Sequence, residues 1–382
     1  MLVGFFALPA LLVYWVAQRS PTPPPRTSNT GAVPTSSSPR VTAPAPILTA
    51  PVGDPPQLVA SLSELDVSAG PITPARAVQW KQTLQVLVQK GVAAVPAIRE
   101  FLAKNVDLDL EPIPGGDALG YPTMRLALFE VLRQIVRPES IAVSLEVLKA
   151  TADPREIAVL ARNLEEQAPA QHRPVAVAAA REALAQANRG QLEGPDIGPV
   201  FEVLEHYGDA KEAGELEQSA QKWNFYATIA LGGLSSGAGI PALTRLAQDA
   251  SLPNAAALRV LAQLAAKYPE AQKFLVEQVR ANKLPFGAWP GVESALSGEV
   301  IDYSVPVLST NSPLTGSNSR TFHISYGNQN YRMLPAPADW SQAQIKEQLA
   351  VIDQIIAVDA SMETLEFLQR ARLALAGRIT KQ

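Results

Sequence analysis

Across residues 223–280 apolar side chains recur at spacings of three and four, and short joints built from glycine or proline interrupt them. The stretch 223–231 (WNFYATIAL) runs into GGLSSGAG, and IPALTRLAQDA follows with Pro241 one position inside the new apolar run. SLPN then supplies a loop, with Asn254 as the expected cap of AAALRVLAQLAAKY, and Pro269 opens AQKFLVEQVRANK. Periodicity of this kind predicts amphipathic helices of ten to fourteen residues on joints of two to six. Helices so short and so one-sided are marginal alone and must bury their apolar stripes against neighbours. A chain built this way is driven toward a stacked helical array.

The same grammar extends toward the N-terminus. Thr73-Pro74 sets a cap before a proline at the first helical position, and ARAVQWKQTLQVLVQ runs to a stop at Gly91. AAVPAIREFLAKN follows, then TMRLALFEVLRQIV after Pro122, then SIAVSLEVLK. Asp153-Pro154-Arg155-Glu156 carries an acidic cap, a proline at N1 and a glutamate at N3, and AVAAAREALAQAN ends at Gly190. Three segments align with one another: VPAIREF at 95–101, GPVFEVL at 198–204 and IPALTRL at 240–246, with Pro199 and Pro241 42 residues apart. This pattern resembles the HEAT-repeat family of paired helices, with its turn glycine and its proline near the start of the second helix. The tetratricopeptide signature W-x2-L-G-x2-Y is not present. The resemblance covers 74–297 and implies architecture, an all-α superhelix, without implying an activity.

Outside this body the composition changes. Residues 1–20 open with MLVGFFALPALLVYWVA, seventeen residues without a charged side chain. Tyr14 and Trp15 suit a membrane interface, and Trp15 falls where a signal-peptidase site would need a small residue, so we read an uncleaved anchor. Arg19 and Arg26 alone would hold the body in the cytoplasm. Residues 21–56, with eleven prolines in thirty-six positions and much Ser and Thr, read instead as an extended tether off a membrane, with a reach of roughly 100 Å. The reading taken is an extracytoplasmic body, with secretion after cleavage or a cytoplasm-facing body as the alternatives. Residues 57–297 form the helical repeats. Residues 298–338 are irregular, and TFHISY-GN-QNYRML predicts a β-hairpin turning at Gly327-Asn328. Residues 339–382 form a helical hairpin, opened by a Ser341/Gln344 capping box, that closes the end of the stack.

With no cysteine there is no thiolate ligand, nucleophile or disulfide. The three histidines, His172, His206 and His323, stand at no metal-ligand spacing. The net charge of −4 comes without a basic block, which argues against nucleic acid as a partner. Asp107-Leu-Asp109-Leu-Glu111 lacks the glycine and glutamate of a calcium loop and reads as a solvated joint with leucines tucked in. GGLSSGAG reads as a helix turn, because a phosphate cradle needs a preceding strand and Pro241 removes one amide donor. No cofactor or metal is expected. What remains is recognition of a protein partner by side chains off the apolar stripes of the second helices, with Arg99, Glu202 and Arg245 as candidates, and with Trp80, Trp223 and Trp289 packed between helices. The expected function is a membrane-tethered scaffold or adaptor without catalysis. The alternatives are an all-α enzyme acting on an envelope polymer or small molecule, and a purely structural spacer.

Overall fold

A computed structural model describes residues 51, 53–65, 70–192, 196–249, 254–298, 340–358 and 361–379, with four short strand fragments between 304 and 330. Its helices, in chain order, are α1 (Pro55–Ser63), α2 (Pro74–Lys90), α3 (Val95–Ala103), α4 (Met124–Ile135), α5 (Pro138–Ala150), α6 (Pro154–Gln167), α7 (Arg173–Asn188) and α8 (Gly198–Tyr207). They continue as α9 (Ala213–Gly233), α10 (Ile240–Gln248), α11 (Ala255–Leu264), α12 (Pro269–Arg280), α13 (Trp289–Leu296), α14 (Gln342–Ile356) and α15 (Met362–Ile379). The fold is all-α: among the described residues, every element longer than three residues is helical.

Local chemistry sets the boundaries. Thr73 Oγ1 accepts from the Arg76 amide at 3.3 Å and Thr123 Oγ1 from that of Leu126 at 3.3 Å. Asp153 Oδ1 takes the amides of Arg155 and Glu156 at 2.7 and 3.2 Å. Each satisfies donors that a helix start leaves unpaired. Asp54 forms a capping box with Gln57 and has proline at N1, so α1 takes in Pro55 and Pro56, which composition alone assigns to the tether. The box predicted for α14 forms as well: the Gln344 amide donates to Ser341 Oγ at 3.3 Å, and the Ser341 amide to Gln344 Oε1 at 2.8 Å. Asn254 departs from expectation. Its side chain does not cap α11 but donates from Nδ2 to the Ala247 carbonyl at 3.3 Å, tying the joint back to α10.

The helices alternate between two layers. In one, α1, α3, α5 and α7 lie side by side, and α10, α12 and α14 continue it; in the other, α2, α4, α6 and α8 lead on to α11, α13 and α15. The passage between them is α9, which breaks at Trp223 (φ −124°, ψ 47°). Its residues 213–222 stand beside α7: Asn188 Nδ2 donates to Ser219 Oγ at 3.1 Å, and Lys222 Nζ to the Ala187 carbonyl at 2.7 Å. Its residues 224–233 join the second layer, where Tyr226 stacks on Phe201 of α8 at 5.6 Å. The two halves of α9 thus serve as a helix pair, and Trp223 is half-buried at the bend with Nε1 donating to Asn188 Oδ1 at 2.9 Å. From α4 to α13, several hydrogen bonds between adjacent helices of a layer join residues 28 to 35 apart in sequence; across the 299–339 segment the spacing grows to 77 between α13 and α15 and 82 between α12 and α14. The three aligned segments do not share a register, because α3 and α10 lie in the first layer whereas α8 lies in the second. The 42-residue interval from Pro199 to Pro241 therefore links helices of different layers.

The glycine-rich joint is a helix turn, as expected. A 3-10 turn over Ser235–Gly237 places Ser236 and Gly237 at positive φ. A Cβ on Gly239 would sit 2.0 Å from the Leu231 carbonyl oxygen, so only glycine lets α10 start against α9. In the 104–123 joint Leu110 is fully buried, while Asp107 turns to the start of α4, with Oδ1 accepting from the Arg125 amide at 3.0 Å. At the other end α14 packs on α12 and α15 on α13. Gln348 Nε2 donates to the Ala262 carbonyl at 3.2 Å, and Phe367 stacks on Trp289 at 6.0 Å. Between Gly298 and Trp340, Ser304–Pro306 pairs antiparallel with Ser319–Thr321, and Ser325–Tyr326 with Gln329–Asn330. The rest of the segment predicted as a hairpin, and residues 1–50 with the predicted anchor and most of the tether, lie outside the described residues. No helix among the described residues is long and apolar enough to cross a membrane.

Candidate functional site

Of the three candidate recognition residues, two are on the surface and one is not. Arg99 of α3 is exposed, and its Nε lies 2.9 Å from Glu146 Oε2 of α5. Arg245 of α10 is exposed and bidentate to Glu217 of α9, at 2.7 and 2.6 Å. Glu202 is buried at 5 % exposure in α8, a second-layer helix covered on nearly every face. Its position off the apolar stripe is real, but the neighbouring helices close over it, so it presents no surface charge. The structure does not bring the three residues together: each belongs to a different helix pair.

Arg99 lines a groove of about 700 Å³ between α3 and α5. Val92, Pro96, Ala103 and Ala142 give it an apolar floor, and all four are exposed. Glu100, Glu139 and Glu146 stand along it with Arg99 as the one cation. A smaller groove of about 270 Å³ separates α2 from α4, lined by Lys81, Gln85, Tyr121 and Glu130. Burial and the nearby Glu130 carboxylate push the Tyr121 hydroxyl above its ordinary range. The Glu130 carboxylate at the smaller groove is held by Arg133 at 2.9 and 2.6 Å. Sequence reasoning found Arg99 but missed its surroundings. The available signal was an exposed valine in the joint GVAA together with Glu139 and Glu146, seven apart on one face of α5.

A second concentration of ionisable groups lies inside the protein. Glu202 and Glu205, three apart on α8, are both buried. Burial raises the Glu202 carboxyl to about 8, against the pull of Arg162 on α6. Burial raises Glu205 well above the ordinary range, with Glu202 adding repulsion, and Glu205 Oε2 has no hydrogen-bond partner among the described residues. Next to them burial lowers the His206 imidazole to about 4. At neutral pH these carboxyls are protonated and the imidazole is neutral, so the helix crosses the interior uncharged. The start of α8 is fixed by Asp196, whose Oδ1 accepts from the Gly198 amide at 3.0 Å and from the Tyr226 hydroxyl at 2.9 Å. Perturbed carboxyls mark active sites when substrate reaches them; neither groove above is lined by Glu202, Glu205 or His206.

A third buried group, Arg125 of α4, is structural in geometry. It grips Glu156 of α6 with Nε and Nη2, at 2.5 and 3.0 Å, and donates from Nη1 to the Leu102 carbonyl of α3 at 2.8 Å. One guanidinium thereby joins three helices across both layers. No group of three or more His, Asp or Glu side chains among the described residues is placed to hold a metal ion. No family model matches this chain, and no curated protein matches it.

Proposed function

We propose that the chain is a HEAT-like helical-repeat scaffold that binds another protein, with the N-terminal apolar segment holding it to a membrane and the body outside the cytoplasm. The β-hairpin over 321–334 is part of the same reading, as an insertion before the terminal helical pair. The observation that carries the proposal is the alternation of successive helices between two layers, each helix packed on its neighbours in the layer and on its own pair mate. Such an array presents many side chains outward without committing them to chemistry, and function then resides in the exposed grooves between helices. The test is affinity capture by the full chain from membrane extracts of its own host, with alkaline extraction of the membranes run in parallel. The scaffold reading expects a protein partner retained at stoichiometric yield and a chain that stays with the membrane at high pH. Retention of nothing above a bare-resin control removes the scaffold, and release of the chain at high pH removes the anchor.

The buried pair Glu202 and Glu205 gives a second reading, an all-α enzyme, something to stand on. It requires a route from solvent to α8, which neither described groove provides. Unchanged turnover of any candidate substrate by an E202Q/E205Q chain would dispose of it.

A further inference from the structure

We propose that the groove between α3 and α5 receives a basic amphipathic helix of another protein; the proposal rests on the scaffold reading and names its site and the chemistry of its partner. Two neighbouring helices of one layer leave a channel that a third helix fills by setting its ridge of side chains between theirs. Here the channel has a floor of small or branched apolar groups, Val92, Pro96, Ala103 and Ala142, all solvent-exposed. Val92 alone leaves 41 % of its surface in water. Five residues of α3, from Val95 to Ala103, and four of α5, from Glu139 to Glu146, line it, which at 1.5 Å per residue is a length of roughly 12 to 14 Å, or about two and a half turns of a partner helix.

The alternatives for an occupant differ in what they require. Strand addition requires a sheet edge, and polyproline recognition requires an aromatic-lined surface. This groove is bordered by two helices and has no aromatic residue in its lining. A helix laid in a groove needs only apolar anchors at helical spacing, which the floor provides. Charge selects the sign of the partner. The lining carries three carboxylates and one guanidinium; Glu146 holds Arg99 at 2.9 Å and Lys104, just past α3, holds Glu100 at 3.2 Å, so the acidic excess of the border rests on Glu139. Glu139 makes no ion pair among the described residues. Lysines or arginines flanking the partner's apolar face would meet this acidic border, steering the encounter and fixing its orientation more than supplying affinity.

Two end-blocked synthetic peptides of fourteen residues test the proposal. They share one leucine-alanine face and carry either lysines or glutamates along its flanks, and each is titrated into the full chain by fluorescence anisotropy. The lysine peptide is expected to saturate and to weaken at least tenfold between low and high salt. It should also weaken at least tenfold against Ala142→Arg or Glu139→Lys, whose positions are exposed and whose helical circular dichroism should match the wild type. The glutamate peptide is expected not to saturate. Equal binding of the two peptides, equal binding by wild type and A142R, or no saturation by either peptide overturns the proposal. So does displacement of the lysine peptide by a proline-rich one. Self-association of the chain that A142R abolishes would assign the groove to a second copy and also overturn it. A host protein captured equally by wild type and A142R would leave the scaffold standing and the groove refuted, whereas capture of nothing removes both.

Discussion

Replacing Glu202 by glutamine alters a proton equilibrium without altering the shape of the α8 interior. Folding raises this carboxyl from 4.5 to about 8, chiefly by burial. Between those values the folded chain keeps a proton that the unfolded chain releases, so stability falls as pH rises, by about 1.4 kcal/mol per pH unit. Over the full interval this amounts to about 5 kcal/mol at pH 8, an upper bound because water entry and relaxation of the neighbouring helices both soften it. His206 works in the opposite direction. Burial lowers it from 6.5 to about 4, so the folded chain excludes a proton that the unfolded one binds, and stability rises with pH across that lower window. The two effects oppose each other below pH 6.5, and above it the carboxyls act alone. From pH 6.5 to 8 Glu202 accounts for a loss of about 2 kcal/mol, and Glu205, raised by burial and by Glu202, adds a loss of the same sign. Urea denaturation of wild type and E202Q at several pH values, followed by tryptophan fluorescence, measures the difference. E202Q should gain about 2 kcal/mol on wild type between pH 6.5 and 8. A gap independent of pH, or one that closes as pH rises, refutes the reasoning.

Arg125→Ala leaves the Glu156 carboxylate buried beside the space the guanidinium filled and should cost about 3 to 5 kcal/mol in thermal or urea denaturation. Gly233→Ala drives a methyl to within 2.0 Å of Glu205 Cγ where α9 crosses α8, a cost of about 1 to 3 kcal/mol that shrinks in an E205A background. Val136 ends α4 at φ 46° with more than half its surface exposed, so Val136→Asn, which tolerates that backbone, should stabilise by about 1 kcal/mol and raise the melting temperature. Asp153→Ala removes the acceptor of two amides at the start of α6 and should cost about 1 kcal/mol by the same measurement.

Much of the helical body is legible in the sequence. The starts of α2, α6 and α14 follow from Thr73, Asp153 and Ser341, because a cap is chemistry between residues two or three apart. The turn at GGLSSGAG was legible for the same reason. What escaped was set by distant contacts. The break in α9 falls at Trp223, an ordinary helix residue whose indole is held by Asn188, 35 positions away. Asn254 reads as a cap, yet the Ala247 carbonyl claims its side chain. Glu202 reads as an outward charge because it stands off the stripe of its own helix; only the helices that pack around α8 put it in the interior. The alignment of GPVFEVL with the other two proline-led segments failed similarly, since local resemblance does not encode the layer a helix joins. The α3–α5 groove depends on which two helices lie adjacent, and one helix's sequence does not contain that information.

The absence of cysteine makes the stacking order directly measurable. Cysteines introduced in pairs at Asn188 and Ser219, and at Gln272 and Gln354, stand where side chains of adjacent helices in one layer already touch, at 3.1 and 2.6 Å. A pair at Asn188 and Gln354 serves as the control. With a short bis-maleimide and mass-spectrometric mapping, neighbour-to-neighbour stacking predicts near-complete intramolecular cross-linking of the first two pairs and none of the third. Efficient cross-linking of 188 to 354, with the neighbouring pairs left unreacted, would contradict it.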